Sequence, residues 1–259
     1  MGTLVTYALT DGVAVITMDD GKANAMSSAL QQEIHAALDQ AESAGVPVVL
    51  TGRAGILSAG FDLKTLAAGG QGAVDMLNGG LELAIRLLGF PTPVVIACGG
   101  HAIAMGVFIL LSSDYRIGIR GNYRYTANEV AIGMTMPYST IEILRQRVTP
   151  AALTRSVLLA EVFTPDNAVE TGFLDLVVDE ADLMATAIAF AKSTTALNAG
   201  AHAASKKRLR AGVLDAIREG LAKDAQGWAK QFAYSTRRNP LGAIDCSTNG
   251  KSTTNSVRC

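Results

Sequence analysis

The stretch from Pro93 to Asp114, PVVIACGGHAIAMGVFILLSSD, constrains the fold of this chain more than any other part of the sequence. It opens with Val94–Ile96, a β-branched apolar run that is typical of a buried strand. Glycine and other small residues follow over Gly99–Gly106 and permit a close approach of the backbone to another group. The pattern then becomes helical over Met105–Leu111. A chain that passes from a strand through a small-residue turn into a helix leaves backbone N–H groups without partners at the start of that helix.

Those free donors, together with the positive end of the helix dipole, suit an oxygen atom that becomes negative during a reaction. We therefore interpret the backbone N–H of Met105 as one half of an oxyanion hole.

Strand-like and helix-like segments alternate over the first two thirds of the chain, which predicts an α/β fold. The predicted strands are Thr3–Leu9, Val13–Met18, Val46–Thr51, Val94–Ile96, Tyr115–Ile119 and Leu174–Val178, with a hairpin turn at Thr10-Asp11-Gly12. The predicted helices begin at Ser28, with a capping box formed by Ser28 and Gln31, and lie near Phe61–Leu66, Val74–Leu88 and Met105–Leu111. The predicted loops between them are Gly52–Gly60 and Gly69–Gly72. No internal sequence repeat is visible.

Three regions follow from this pattern. Residues 1–180 form the α/β core, and residues 181–234 form a C-terminal helical region. Residues from 235 onward are rich in Ser, Thr, Asn and Arg and lack a sustained period, so we expect a disordered or non-native tail.

Composition excludes several classes of function. The net charge of −1 and the pI of about 6.3 give no electrostatic basis for binding nucleic acid or an anionic membrane. The longest apolar run, Ala102–Leu111, is too short to span a bilayer. The first residues match a short myristoylation pattern, which we interpret as a chance match at the start of a strand. With no signal peptide pattern and three cysteines that form no disulfide framework, we expect a cytoplasmic protein.

A second turn offers a partner for Met105. In Leu50–Lys64 a strand again ends in a small-residue turn that leads into a helix, and the N–H of Ala59 lies at that turn. Two such N–H groups could converge on one carbonyl oxygen, and an ordinary strand–helix turn is an equally good explanation of this spacing. Asp62 is placed to cap the following helix.

Three motifs in the same order resemble the enoyl-CoA hydratase/isomerase (crotonase) family, and the resemblance extends from about Val13 to Tyr234. They are SAGFDLK at Ser58–Lys64, ACGGHAIAMG with the later SSDYRI, and Asn128-Glu129 followed by Gly133 and Pro137. The resemblance implies a crotonase-like spiral of ββα turns with a C-terminal helical region. It also implies a homotrimer or a dimer of trimers, with an acyl-CoA thioester as the substrate and no separate cofactor.

The resemblance assigns roles to particular positions. The backbone N–H groups of Ala59 and Met105 would hold the thioester oxygen, the segment Lys22–Ala25 would lie along the adenine and phosphates of CoA, and residues 59–62 would line the thioester and pantetheine. The resulting candidate site consists of Glu129, Ala59 and Met105 as catalytic residues and Lys22, Ala23, Ala25, Ala59, Gly60, Phe61, Asp62 and Phe108 as substrate-binding residues.

The carboxylates divide the family. Hydratases of the crotonase type carry two glutamates; Glu129 matches the second, and Phe108 stands where the first would be. Isomerisation of a double bond needs only one carboxylate, which takes a proton from C2 and returns it to C4. The spacing Asn-Glu-x-x-x-Gly-x-x-x-Pro also resembles the mitochondrial Δ3,Δ2-enoyl-CoA isomerases. We therefore favour an isomerase with Glu129 as the acid/base, whose pKa the apolar surroundings would raise.

Several alternatives stay open at this level. The enzyme could hydrate a 2-enoyl-CoA with Glu129 alone, or the protein could be a catalytically silent acyl-CoA binder. Glu129 could be a solvated loop carboxylate, and Phe108 an ordinary core residue. We interpret the basic cluster from Lys206 to Arg210 as a solvated helix face. No metal-ligand spacing is present, and Ser58 lacks the glycine two residues before it that a nucleophile elbow requires.

Overall fold

The computed structural model describes residues 3–235. The strands are β1 (Val5–Thr10), β2 (Val13–Met18), β3 (Val48–Thr51), β4 (Gly55–Ser58), β5 (Val94–Cys98), β6 (Gly100–Ile103), β7 (Tyr115–Ile119), β8 (Tyr125–Thr126) and β9 (Leu176–Val178). The helices are α1 (Ser28–Ala44), α2 (Leu63–Ala68), α3 (Gly70–Gly89), α4 (Met105–Leu111), α5 (Tyr138–Arg145), α6 (Pro150–Leu159), α7 (Pro165–Thr171), α8 (Leu183–Ser193) and α9 (Ala199–Ser235). Three short 3-10 turns cover Val130–Ile132, Glu180–Asp182 and Thr194–Ala196.

A six-stranded sheet in the order β1-β2-β3-β5-β7-β9 forms the main layer. β1 and β2 are antiparallel, and Thr10 pairs with Val13 across a turn in which Asp11 and Gly12 both have positive φ, as a two-residue hairpin requires. The remaining pairs are parallel. Every residue of β3 and β5 is buried, because helices cover both faces of a parallel sheet.

A second sheet of three short parallel strands, β4-β6-β8, stands beside the first. Strands that are consecutive along the chain alternate between the two sheets: the first member of each pair β3-β4, β5-β6 and β7-β8 lies in the six-stranded sheet and the second in the three-stranded sheet. Helices follow each pair, as expected for a spiral of ββα turns. The loop predicted at Gly52–Gly60 and the small-residue turn predicted at Gly99–Gly106 therefore each contain a strand. These strands are four residues long and rich in small side chains, which have little preference for the extended conformation. Hydrogen bonding to the neighbouring strand, rather than local preference, therefore makes them extended.

Helix boundaries correct two local predictions. Ser27, not Ser28, is the N-cap of α1, and its side chain accepts a hydrogen bond from the N–H of Leu30. Gln31 is buried and donates instead to the carbonyls of Met26 and Met76, so it fastens α1 to α3 rather than closing a capping box. α3 begins at Gly70, which leaves Gly69 alone between α2 and α3.

The C-terminal helices pack on the core. α8 covers one face of the main sheet, and α9 lies along α3 and α5. Lys206 and Arg210 of α9 are only 6% and 5% exposed and form ion pairs with Asp114, which corrects the expectation of a solvated basic face at these two positions. Within residues 3–235 no helix is long and apolar enough to cross a membrane. Ser235, the first residue of the expected tail, belongs to α9, and the rest of that tail, residues 236–259, lies outside the described residues.

Candidate active site

The backbone N–H of Met105 is free at the first position of α4. The N–H groups of Val107 and Phe108 both donate to the carbonyl of Ala104, whereas Met105 N–H has no protein acceptor in the part of the chain that the structure describes. Ala104, the N-cap, has φ 48° and ψ −121°, an unusual conformation for a residue with a side chain. Such conformations are found where a site over-determines the backbone.

The second predicted donor is engaged elsewhere. The N–H of Ala59 donates to the carbonyl of Ala23 at 2.9 Å, and the N–H of Gly60 donates to Ser58 Oγ at 3.2 Å. The bond to Ala23 leaves Ala59 with no free proton for a substrate oxygen, which corrects the expectation for this residue. The next amide along the chain, Phe61 N–H, has no acceptor among residues 3–235.

The orientation of that amide follows from its own peptide plane. Gly60 O and Phe61 N–H belong to one peptide group, and every peptide bond of the described chain is trans, so they point in opposite directions. Gly60 O accepts a hydrogen bond of 2.8 Å from Met26 N–H, which turns Phe61 N–H away from the loop that contains Met26.

The two free amides lie at one crossing of the chain. A Cβ atom at Gly60 would lie 3.5 Å from Met105 N and only 2.9 Å from Ala104 Cβ, and Gly60 also has φ 98°. A Cβ at Gly106 would lie 2.3 Å from Ser58 O. Glycine at these two positions therefore allows the start of α4 to pass directly against the 58–61 turn.

Glu129 is a buried carboxylate, not a solvated one. It follows β8 immediately before the 3-10 turn Val130–Ile132, and it is 7% exposed. Its Oε2 has no hydrogen-bond partner in the described residues. Burial raises the pKa of Glu129 to about 7, and its own backbone amide opposes that rise only in part. A carboxyl group with this pKa can both accept and release a proton near neutral pH.

Phe108 lies one helical turn after Met105 on α4 and is 1% exposed in the main hydrophobic core. An apolar ring therefore stands at the position that the family resemblance aligns with the first hydratase glutamate. The ring is part of the core, and its predicted place along the acyl-CoA pocket stays a prediction.

The loop from Asp20 to Met26 is tightly held. The Asp20 carboxylate accepts from the amides of Lys22, Asn24 and Ala25. These three hydrogen bonds hold the pKa of Asp20 below its usual value, although burial opposes them. The Lys22 side chain is exposed, and Ala23 and Ala25 are half-buried.

Other residues near the turn have structural partners. Asp62 is the N-cap of α2 and accepts from the amides of Lys64 and Thr65, as predicted. Arg53, which the sequence did not single out, donates to the carbonyl of Lys22 at 3.1 Å. In the region covered by residues 3–235, no group of three or more His, Cys, Asp or Glu side chains could hold a metal ion.

The sequence and the fold are both similar to those of known proteins. The sequence model of the family "Enoyl-CoA hydratase/isomerase" matches residues 8–243. Two structures of one Mycobacterium tuberculosis protein are each 45% identical over 90% of this chain. One is named an enoyl-CoA isomerase (TM-score 0.83, 100% of that chain covered) and the other a probable enoyl-CoA hydratase (TM-score 0.84, 98% covered). Human mitochondrial Δ3-Δ2-enoyl-CoA isomerase is 25% identical with a TM-score of 0.82, over 90% of this chain and 93% of the other. A probable enoyl-CoA hydratase of Bacillus subtilis is 27% identical over 72% of this chain and 74% of its own length.

Proposed function

This chain belongs to the enoyl-CoA hydratase/isomerase family, and we propose that it shifts the double bond of a 3-enoyl-CoA to position 2 with Glu129 as the single acid/base. The thioester oxygen accepts hydrogen bonds from the N–H groups of Phe61 and Met105. Phe61 takes the role that the sequence had assigned to Ala59.

The proposed reaction is a proton transfer in two steps. The Glu129 carboxylate removes a proton from C2, and the electron pair of that C–H bond delocalises over C1–C4 and onto the thioester oxygen as a dienolate. Glu129 then returns the proton to C4, which leaves the double bond between C2 and C3. Neither oxidation state nor water content changes, so the CoA thioester is the whole substrate and no separate cofactor is required.

Charge development explains why the two amides matter. The oxygen carries more negative charge in the dienolate than in the thioester, so fixed N–H donors stabilise the transition state more than the ground state. Removing one such donor typically costs about 10²- to 10³-fold in kcat, and a positioned base contributes about 10²- to 10⁴-fold.

The burial of Glu129 is the observation that carries the proposal. Its free Oε2, its pKa of about 7, and the apolar Phe108 in place of a second carboxylate together suit a reaction with one base. Hydration with Glu129 alone is the second candidate, because relatives with hydratase names are matched as well. A catalytically silent acyl-CoA binder is the third.

Two substrates separate these candidates. Purified protein is incubated with trans-3-hexenoyl-CoA and with crotonyl-CoA, and the products are separated by chromatography. We expect 2-hexenoyl-CoA from the first and little or no 3-hydroxybutyryl-CoA from the second. Turnover of crotonyl-CoA alone would establish the hydratase, and binding of both compounds without turnover would establish the silent binder.

The homotrimer or dimer of trimers, with contacts through the region 181–234, remains part of the proposal. Light scattering coupled to size-exclusion chromatography measures the mass, and a monomer would contradict it.

A further inference from the structure

We propose that Ser58 and Asn24 are positioning residues that aim the Phe61 N–H at the thioester oxygen. The inference rests on the proposed function, because it concerns how one donor of the oxyanion hole is held in place. Neither side chain needs to touch the substrate for this role.

Ser58 connects the two segments that meet at the site. It is fully buried, and its hydroxyl donates to the carbonyl of Asn24 at 2.6 Å. The same oxygen accepts from the N–H of Gly60 at 3.2 Å. The Ser58 hydroxyl thus donates to a carbonyl of the 20–26 loop and accepts from the N–H of Gly60, the residue just before Phe61.

Asn24 holds the loop on which Ser58 depends. It is fully buried with φ 49°, and its side-chain NH₂ donates to Met18 O at 3.0 Å and Leu57 O at 3.1 Å. Met18 ends β2 of the main sheet and Leu57 lies in β4 of the small sheet, so Asn24 links the two sheets at this point. Its Oδ1 accepts from the N–H of Asp20.

These bonds leave one direction for the donor. Between residues 58 and 60, the Ala59 N–H, the Gly60 N–H and the Gly60 carbonyl are all bound, to Ala23 O, Ser58 Oγ and Met26 N respectively. The next amide, Phe61 N–H, is the first free one. Since its peptide plane is set by the Gly60 carbonyl, the loop that Asn24 fixes determines where this N–H points. A misplacement of about 1 Å at a reacting centre can cost about a hundredfold in rate.

The first test removes the Ser58 hydroxyl. In Ser58→Ala, Asn24 O and Gly60 N–H lose their shared partner, and the 58–61 turn loses the bond that ties it to the loop. We expect kcat with trans-3-hexenoyl-CoA to fall between about tenfold and a hundredfold, with KM within about threefold of the wild-type value. Ser58→Cys keeps a weak donor and acceptor in nearly the same volume, so its kcat should lie between those of the wild type and Ser58→Ala. It also tests the inference if Ser58→Ala does not fold.

A spectroscopic measurement distinguishes positioning from general loosening of the fold. The infrared stretching frequency of the thioester carbonyl, isotope-labelled at C1 of bound 2-hexenoyl-CoA, decreases when N–H donors polarise it. We expect a smaller decrease in Ser58→Ala than in the wild type. Ser156→Ala is the matched control, because Ser156 is equally buried and donates to Ala152 O at 2.7 Å within α6; it should leave both kcat and the carbonyl frequency unchanged.

The outcomes separate this inference from the proposed isomerase. Wild-type turnover with an unchanged kcat and carbonyl frequency in Ser58→Ala would overturn the positioning role alone. A polarised carbonyl without turnover in the wild type, lost in Ser58→Ala, would overturn the isomerase and support the positioning role. A wild-type complex with no polarised carbonyl would overturn both.

Discussion

The two ends of α4 differ in how they treat their unpaired backbone groups. At the C-terminal end, all four terminal carbonyls have donors: Ser112 Oγ binds Phe108 O, Ser112 N–H binds Ile109 O, Ser113 Oγ binds Leu110 O, and Gln146 Nε2 binds Leu111 O. At the N-terminal end, Val107 and Phe108 donate to Ala104 O, while the N–H groups of Met105 and Gly106 have no acceptor in residues 3–235.

The carboxylates Asp114 and Glu129 differ in the same way as the two ends of α4: one has partners and the other does not. Asp114, just past the C-terminal end, accepts from Val94 N–H and from the side chains of Lys206 and Arg210. Glu129 keeps Oε2 buried and unpartnered. A buried polar group without a hydrogen-bond partner costs stability, so such groups are found mainly where function requires them. The paired end of α4 therefore serves stability, and the open end is available to a ligand.

Glu129→Gln gives the largest expected effect, because it removes the carboxylate proposed as the acid/base. We expect isomerase kcat to fall by about 10²- to 10⁴-fold with binding of CoA thioester retained. Steady-state kinetics and equilibrium binding measure the two quantities. The exposed Glu170→Gln is the matched control, and retained activity in Glu129→Gln would remove this residue from its role.

The pH profile of the wild type belongs to the same test. The base must be ionised, so with a pKa of about 7 we expect kcat/KM to fall as the pH drops below about 7 and to level off above it.

Met105→Pro tests the open end of α4 directly. Proline lacks the N–H, and the first helical position is where a helix best tolerates it. Because proline disfavours the φ 48°, ψ −121° backbone of Ala104 before it, Met105→Pro and its control Met105→Ala are both made in an Ala104→Gly background, which permits that conformation. We expect kcat to fall by about 10²- to 10³-fold. Met105→Ala loses the same buried side chain but keeps the N–H, and equal kcat in the two variants would exclude the Met105 amide from the site.

Asp114→Asn tests the paired end. Neutralising this carboxylate leaves Lys206 and Arg210 buried without their counter-charge, and we expect a loss of about 3 kcal/mol in the free energy of unfolding. Urea denaturation measures it, and kcat of the folded variant should stay within about threefold of the wild type. Asp179→Asn breaks an exposed ion pair with Arg120 and should cost no more than about 1 kcal/mol; equal losses in both variants would contradict the comparison.

The open carboxylate also predicts a pH-dependent cost. The folded-state pKa of Glu129, about 7, lies above the ordinary value of 4.5, so ionisation opposes folding. The penalty is absent below pH 4.5, grows between pH 4.5 and 7, and is complete above pH 7. Glu129→Gln should therefore match the wild type at pH 4.5 and be more stable by up to about 3 kcal/mol at pH 8, measured by urea denaturation. A constant difference at both pH values would contradict this.

The smallest effect concerns Asp62, which lies beside the open side but already has partners. Asp62→Ala should cost about 1 kcal/mol of stability through loss of the α2 cap, with kcat changed by no more than about threefold. Thermal unfolding and kinetics measure the two, and a large loss of kcat with unchanged stability would instead give Asp62 a place at the substrate.

Local patterns predicted the parts of the fold that depend on near neighbours. β2, α4 and β7 were predicted within a residue, because a β-branched run or a helical apolar period specifies each of them on its own. β4, β6 and β8 were not predicted, since their extended form depends on pairing with one another. The repeated ββα unit was likewise invisible as a sequence repeat, and it entered only through the resemblance to a family.

Motifs and spacing along the chain predicted where the site lies: a small-residue turn at 58–61, the start of α4, and a glutamate that the family resemblance singled out. Spacing could not reveal which amide of the first turn is free, because the Ala23 carbonyl that accepts from the N–H of Ala59 comes from a distant loop. The burial of Glu129 and the pairing of Lys206 and Arg210 with Asp114 likewise became visible only in the folded chain. Spacing along a chain fixes which groups lie near each other locally, whereas hydrogen-bond partners and burial depend on segments that only folding brings together.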